Sequence, residues 1–239
     1  MEKLNVKSLP VAENVCAQVL REVQRTPKWT MAHVIMNPFA ESLFHSHKKM
    51  TEIYVITKGY GELKTGTRIS RQVAAGSVYE IPACVHHMLC NKSAGHLEHL
   101  VFALPPFDPS DVHVLEEKHL AEEPYALYFP KVEECFDGAK ILSYAFSRLD
   151  LSIAFGWVIN DLTRRKQPHY HKRTTEFVYV VNGKGFIKIG PVYEPIRSGD
   201  WIRIDPGTEH VLQNESPEDM VVVCTCSPAF QMEDVHYHV

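Results

Sequence analysis

The chain has 239 residues, 45% hydrophobic and 23% charged, enough to bury one large core or two small ones. A formal net charge of −4 and a pI near 6.4 leave no basic footprint for nucleic acid. The opening Met1-Glu-Lys-Leu-Asn-Val-Lys7 lacks an apolar signal core, and no apolar run is long enough to span a bilayer, so a cytoplasmic protein without a membrane partner is expected.

Along the chain, the first informative segment is His45-Ser-His47. Alternate side chains of a strand share a face, so both imidazoles can point into one interior and hold one ion together. Glu52 lies five positions beyond His47, an odd separation that puts it on the opposite face of an unbroken strand. A turn or bulge within Lys48-Lys49-Met50-Thr51 is therefore required. Glu52-Ile-Tyr-Val-Ile-Thr-Lys58 then reads as a new strand closed by Gly59. Gly76-Ser-Val-Tyr-Glu-Ile-Pro82-Ala-Cys84-Val-His86-His87 follows, with Asn91 just beyond, and Glu98-His-Leu-Val-Phe102 is a further strand. Strand-like runs continue at Ile153–Ile159, Glu176–Val181 and Met220–Cys224, with Gly, Pro and Asn between, which predicts an all-β chain.

His45, His47 and Glu52 recur 124 residues later as His169, His171 and Glu176, and His87 recurs 123 residues later as His210. The exit segment Pro105-Pro-Phe107 to Asp111-Val112-His113 repeats at 123 as Pro228-Ala-Phe230 to Asp234-Val235-His236, and Ala32–Ile35 aligns with Gly156–Ile159. The duplicated unit thus exceeds the histidine motifs. It divides the chain into residues 1–117, a linker at 118–129 marked by the charged, proline-terminated run Glu116–Pro124, and residues 130–239.

The two segments resemble the conserved motifs of the cupin superfamily: His-x-His, Glu and Gly, then Gly, five residues, Pro-x-Gly, two residues, His, three residues, Asn. Both halves match, with Cys84 in place of the turn glycine and Asp205 in place of the proline. Cys84 leaves open a distorted first turn, since a β-carbon makes positive φ costly. The resemblance covers about 200 residues as two modules. It implies two tandem double-stranded β-helix (jelly-roll) barrels, with His45, His47, Glu52 and His87 holding a divalent transition metal in one and His169, His171, Glu176 and His210 in the other. The metal would be Fe, Mn, Ni, Co, Cu or Zn, one per barrel.

Three imidazoles and one carboxylate leave two positions of an octahedral ion open, whereas tetrahedral zinc with the same four donors is closed. The open arrangement suits a metal-dependent dioxygenase that takes a small, metal-chelating organic substrate, with Glu52 or Glu176 leaving the ion to act as catalytic base. A metal-dependent isomerase or lyase and a non-catalytic small-molecule-binding module are the alternatives. The oxalate enzymes of the family carry an arginine three residues before the first histidine of the pair; here those positions are Ser42 and Lys166, which disfavours oxalate. The basic approach Arg164-Arg-Lys166 and the retained Gly207 place the second half slightly ahead as the catalyst. The partner implied is a small-molecule substrate, with a homodimer left open. The six cysteines, with no export signal, read as reduced, and Cys224 and Cys226 as core packing. His113 and His236 read as structural, and His86 as a candidate for the pocket mouth.

Overall fold

A computed structural model describes residues 1–14, 18–66, 69–114, 131–134, 140–146, 149–160 and 167–237. The linker expected at 118–129, the approach Arg164-Arg-Lys166, and Cys16 and Cys135 lie outside the described residues. Extended strands dominate, and they form two compact units. No helix among the described residues is long and apolar enough to cross a membrane.

The unit formed by the described residues of 9–114 consists of two five-stranded antiparallel sheets. One runs, in spatial order, Val19–Arg25, Thr30–Met36, Leu97–Leu104, Thr51–Lys58 and Val78–Ile81. The other runs Val112–Val114, His45–His47, His87–Asn91, Tyr60–Thr65 and Ile69–Ala74. Alternation places Tyr54, Ile56, Tyr79, Ile81, Met36 and Leu97 on the inner face of the first sheet, where they pack on Leu63, Val73 and Leu89 of the second. This two-layer core is all-β, as the short alternating strands predict, and is the jelly roll that the resemblance implies.

The other unit repeats the plan. Its larger sheet orders Asp200–Ile204, Thr175–Asn182, Met220–Ser227, Leu151–Val158, Lys140–Phe146 and Lys131–Glu134. A three-stranded sheet of Val192–Arg197, Lys184–Ile189 and His210–Asn214 is extended by a bridge from His210 to His169, beside the pair Tyr170–His171 and Val235–His236. Val158, Val178, Val180, Ile202, Ile204 and Val222 pack on Ile187 and Ile196 between the layers. Gly61 and Gly185 occupy the same place in the two repeats, where a β-carbon would collide with the carbonyl oxygen of Cys90 or Gln213.

The boundaries expected at 117 and 130 lie outside the described residues, but the first eight residues do not group with the rest of the first module. Glu2–Asn5 pairs antiparallel with Asp200–Ile204, from Glu2 opposite Arg203 to Asn5 opposite Asp200, so Met1–Ser8 belongs to the second unit. The physical reason is an edge: the strand 200–204 has unpaired backbone groups on one side, and residues 2–5 cover them. Asn5 fixes the register by donating from Nδ2 to Asp200 Oδ1 at 2.8 Å.

Candidate metal centres

His45, His47 and His87 stand on one sheet of the first unit, with His45 paired directly to His87, and Glu52 arrives from the facing sheet. The break required between His47 and Glu52 is a change of sheet. It is held by a residue that the sequence reading noted only as part of the exit repeat. The buried Asp111 carboxylate accepts the backbone N–H groups of Lys48, Lys49 and Met50 at 3.1, 3.0 and 3.1 Å. Burial alone would raise the Asp111 pKa; these three donors outweigh it and hold the carboxyl below its usual range. Asp234 does the same for Arg173 and Thr174 in the second unit. Asp111→Ala leaves three amides without their acceptor, at about 1–3 kcal/mol per unsatisfied buried group. A loss of about 3 kcal/mol in urea unfolding is expected, with metal binding at the first set weakened about 10- to 100-fold. Unfolding within about 0.5 kcal/mol of the parent would show that the loop holds itself.

The turn before the last histidine is not distorted by Cys84. Cys84 takes φ +68° and Gly207 takes φ +78°. The amide of each donates to the first-segment histidine carbonyl, His47 O or His171 O, at 2.6 Å. The sulfur-bearing residue accepts a left-handed conformation that costs roughly 1–2 kcal/mol for an L side chain. Asn91 and Asn214, which end the motif, staple the following turn: Asn91 Nδ2 donates to Gly95 O at 2.8 Å, and Asn214 Nδ2 donates to Glu218 O and Val158 O, both at 2.8 Å.

The structure brings all eight expected ligands into two groups of four, in each of which the donor atoms lie within 4.8 Å of one another. In the first, every imidazole is oriented by a backbone carbonyl: His45 Nδ1 to Leu43 O at 2.9 Å, His47 Nδ1 to Asp111 O at 3.1 Å and His87 Nδ1 to Val85 O at 3.0 Å. A carbonyl only accepts, so each Nδ1 carries the proton and each Nε2 presents a lone pair to the centre. Yet His87 Nε2 lies 2.9 Å and His47 Nε2 3.5 Å from Glu52 Oε2, itself an acceptor. His47 Nε2 is buried without a hydrogen-bond partner. Lone pairs converging on a carboxylate in a dry interior call for a cation, and a divalent transition metal fits this donor set.

Without an ion, protons fill that role. Burial opposes charging of His47, but Glu52 outweighs it and raises the His47 pKa. Burial would likewise raise Glu52, while His47 and His87 hold it well below the ordinary carboxylate range. His45 is lowered to about 4, first by burial and then by His87, and stays neutral at physiological pH.

The second group has the same plan with looser support. His210 Nδ1 meets Thr208 O at 2.9 Å, and His210 Nε2 lies 3.0 Å from Glu176 Oε2. His171 Nε2 lies 3.4 Å from that oxygen, but His171 Nδ1 is buried with no partner where His47 has Asp111 O. The rims differ as well. Phe230 stands edge-on to His171 at 5.9 Å and Tyr237 lies 6.4 Å from His169, whereas in the first unit Phe44 lies 6.1 Å from His86. His86 is outside the four-residue group. Cys226 is buried opposite Glu176 and beside Ser152, its thiol pushed well up by burial and by Glu176. Two inner residues had no signal in the sequence: Tyr54, whose hydroxyl donates to Glu52 Oε2 at 3.2 Å, and His99, 5.1 Å from the Tyr54 ring; Ser42, singled out in the sequence, uses its Oγ to accept from Leu89 N at 3.0 Å.

Two β-barrels, each closing three imidazoles and a carboxylate around one point, define a two-barrel metal-binding protein. Residues 162–226 match the family model described as cupin domain. Comparison with curated proteins finds no match. Among solved structures, a formate complex of oxalate decarboxylase from Lactobacillus farciminis superposes with TM-score 0.71 at 14% identity, covering 94% of this chain and 85% of that one. The oxalate decarboxylase of Bacillus subtilis at pH 4.6 superposes with TM-score 0.67 at 14% identity, covering 96% of this chain and 77% of that one. At such identities the likeness speaks for the fold. The cupin match is one of residues 162–226, and the rest of the chain shares the fold alone.

Proposed function

We propose that the protein is a metal-dependent enzyme, an oxidoreductase of the dioxygenase type, acting on a small organic molecule that chelates the metal. The observation that carries this reading is the inward convergence of three oriented imidazole Nε2 atoms and one carboxylate in a buried interior. A bound transition metal supplies Lewis acidity, and oxygen chemistry where it is redox-active. The protein's own part is to orient the donors, exclude water and move a proton. Glu52, ionised and buried, is the base proposed for a substrate hydroxyl in the first site, and Glu176 is its counterpart in the second.

The interior also argues about substrate charge. None of the buried polar residues described is Lys or Arg. Among the described residues, a dianion such as oxalate, or a sugar phosphate, would meet no buried Lys or Arg there. Ser42, at the position where the oxalate enzymes of the family carry arginine, is committed to the backbone of Leu89. A neutral molecule whose hydroxyl or enol ionises on binding fits better. The turn geometry no longer favours the second half, since Cys84 and Gly207 adopt one conformation.

A metal-dependent lyase or isomerase is the second reading, favoured by the oxalate decarboxylases whose fold this chain shares. Oxygen uptake separates the two. With catechols, flavonols and β-diketones as probes, dioxygenase turnover consumes one oxygen molecule per product and places both atoms of labelled oxygen in product. Turnover without oxygen uptake would sink the first reading in favour of the second, and tight binding without turnover would favour a sensor. Glu52→Gln and Glu176→Gln at equal metal loading locate the reaction: the variant at the working site is expected to lose at least about 100-fold in kcat, within the range of general-base catalysis.

A further inference from the structure

The two donor sets differ most where nothing ligates. Glu52 Oε2, the oxygen turned toward His47 and His87, also accepts the Tyr54 hydroxyl at 3.2 Å. Tyr54 is almost wholly buried, at 6% exposure, and two rings fix its own: His99 at 5.1 Å between centroids and His87 at 5.9 Å, edge to face. His99 is itself 2% exposed. The repeat offsets place Val178 in the position of Tyr54 and Val222 in the position of His99, and both valines are fully packed in the second core. Among the described residues, Glu176 therefore meets His171 and His210 but no hydroxyl. A duplicated fold has one carboxylate held from behind and one that is not.

We propose that Tyr54, braced by His99, is a positioning residue that makes the two metal centres chemically distinct. Its hydroxyl restricts Glu52 to one rotamer and draws charge from the oxygen that serves as donor. Glu176, opposite Cys226 on the neighbouring strand, is held among the described residues by the two imidazoles alone. Two consequences follow from hydrogen bonding alone. Less conformational entropy is lost when an ion enters the first set, because the donor is already placed. The carboxylate there is also a weaker electron donor, so a metal in the first set has a different ligand field from the same metal in the second. The inference rests on the metal-site reading above and adds the division of labour between the sets.

The test uses the full chain with one set disabled at a time. His169→Ala with His171→Ala keeps the first set, and His45→Ala with His47→Ala keeps the second. Each parent is titrated with Co(II), whose visible spectrum reports the ligand field, and with Mn(II), followed by electron paramagnetic resonance. The two parents are expected to give different spectra. Adding Tyr54→Phe to the first-set parent is expected to weaken metal binding about tenfold or more and to shift its spectrum, within the range seen when outer hydrogen-bond partners are removed. His99→Leu, which removes the brace and leaves the hydroxyl, is expected to give a smaller shift in the same direction. It also covers the case in which Tyr54→Phe does not fold. An unchanged affinity and spectrum in the folded Tyr54→Phe protein would overturn the proposal, as would an unchanged His99→Leu protein should Tyr54→Phe not fold. Failure of the first-set parent to bind either metal would overturn the metal-site reading instead.

Discussion

A chain saturated with Mn(II) is expected to carry two ions, and the His45→Ala, His47→Ala double variant to carry one. Each donor set is complete within its own unit: His45, His47, Glu52 and His87 come from strands between residues 45 and 91, and His169, His171, Glu176 and His210 from 169 to 214. Removing two of four donors leaves an incomplete site, so the effect is loss of an ion rather than graded weakening. His169→Ala with His171→Ala should do the reverse. Elemental analysis after dialysis gives the stoichiometry, and a thermal melt gives the linkage. Each ion present at a thousand times its dissociation constant stabilises the folded chain by about 4 kcal/mol, so two independent sites together contribute about 8 kcal/mol and either double variant should keep half of that. A saturated content at or below one would refute the symmetric reading. If either folded double variant released both ions, the sites would be coupled.

The donors were legible because the chemistry demands spacings that a strand displays openly. Alternation made His45 and His47 neighbours on one face, and the odd step to Glu52 demanded a break, which the structure makes by changing sheets. The 123- to 124-residue repeat gave the duplicated barrels. What remained hidden depends on register between strands far apart in sequence. Asp111 stood in the repeated exit segment, yet its task of accepting three loop amides appears only once that segment lies beside residues 48–50. Tyr54 and His99 read as ordinary strand residues until pairing of Val101 with Tyr54 and of His99 with Ile56 puts both rings on one inner face. Glu2-Lys-Leu-Asn5 is short and polar, and nothing local names a partner near residue 200. Cys84 showed the converse: residue type suggested a distorted turn, but the surrounding hydrogen bonds hold the left-handed conformation.

His99→Phe is expected to leave stability near neutrality almost unchanged and to remove much of the acid sensitivity of the metal-free protein. Burial, aided by the nearby His33 and opposed by Glu52, pushes His99 down from an ordinary 6.5 to about 3. The imidazole is neutral in both folded and unfolded chains above pH 6.5, so it adds no pH dependence there. Between pH 6.5 and about 3 the unfolded chain takes up a proton that the folded one refuses, and stability falls as pH falls. At about 1.4 kcal/mol per pH unit, the cost reaches roughly 3 kcal/mol by about pH 4. His45, lowered to about 4, adds a penalty of the same sign over a narrower window while no metal holds it. Phenylalanine keeps a ring against Tyr54 and removes both the titrating group and a buried Nδ1 that has no hydrogen-bond partner. Urea unfolding in a chelator at pH 7.5, 5.5 and 4 measures the effect. The variant should match the parent to within about 1 kcal/mol at pH 7.5 and exceed it by roughly 3 kcal/mol at pH 4. Parallel acid limbs in the two proteins would mean that His99 takes up its proton in the folded state, with enough water around it to remove the burial penalty.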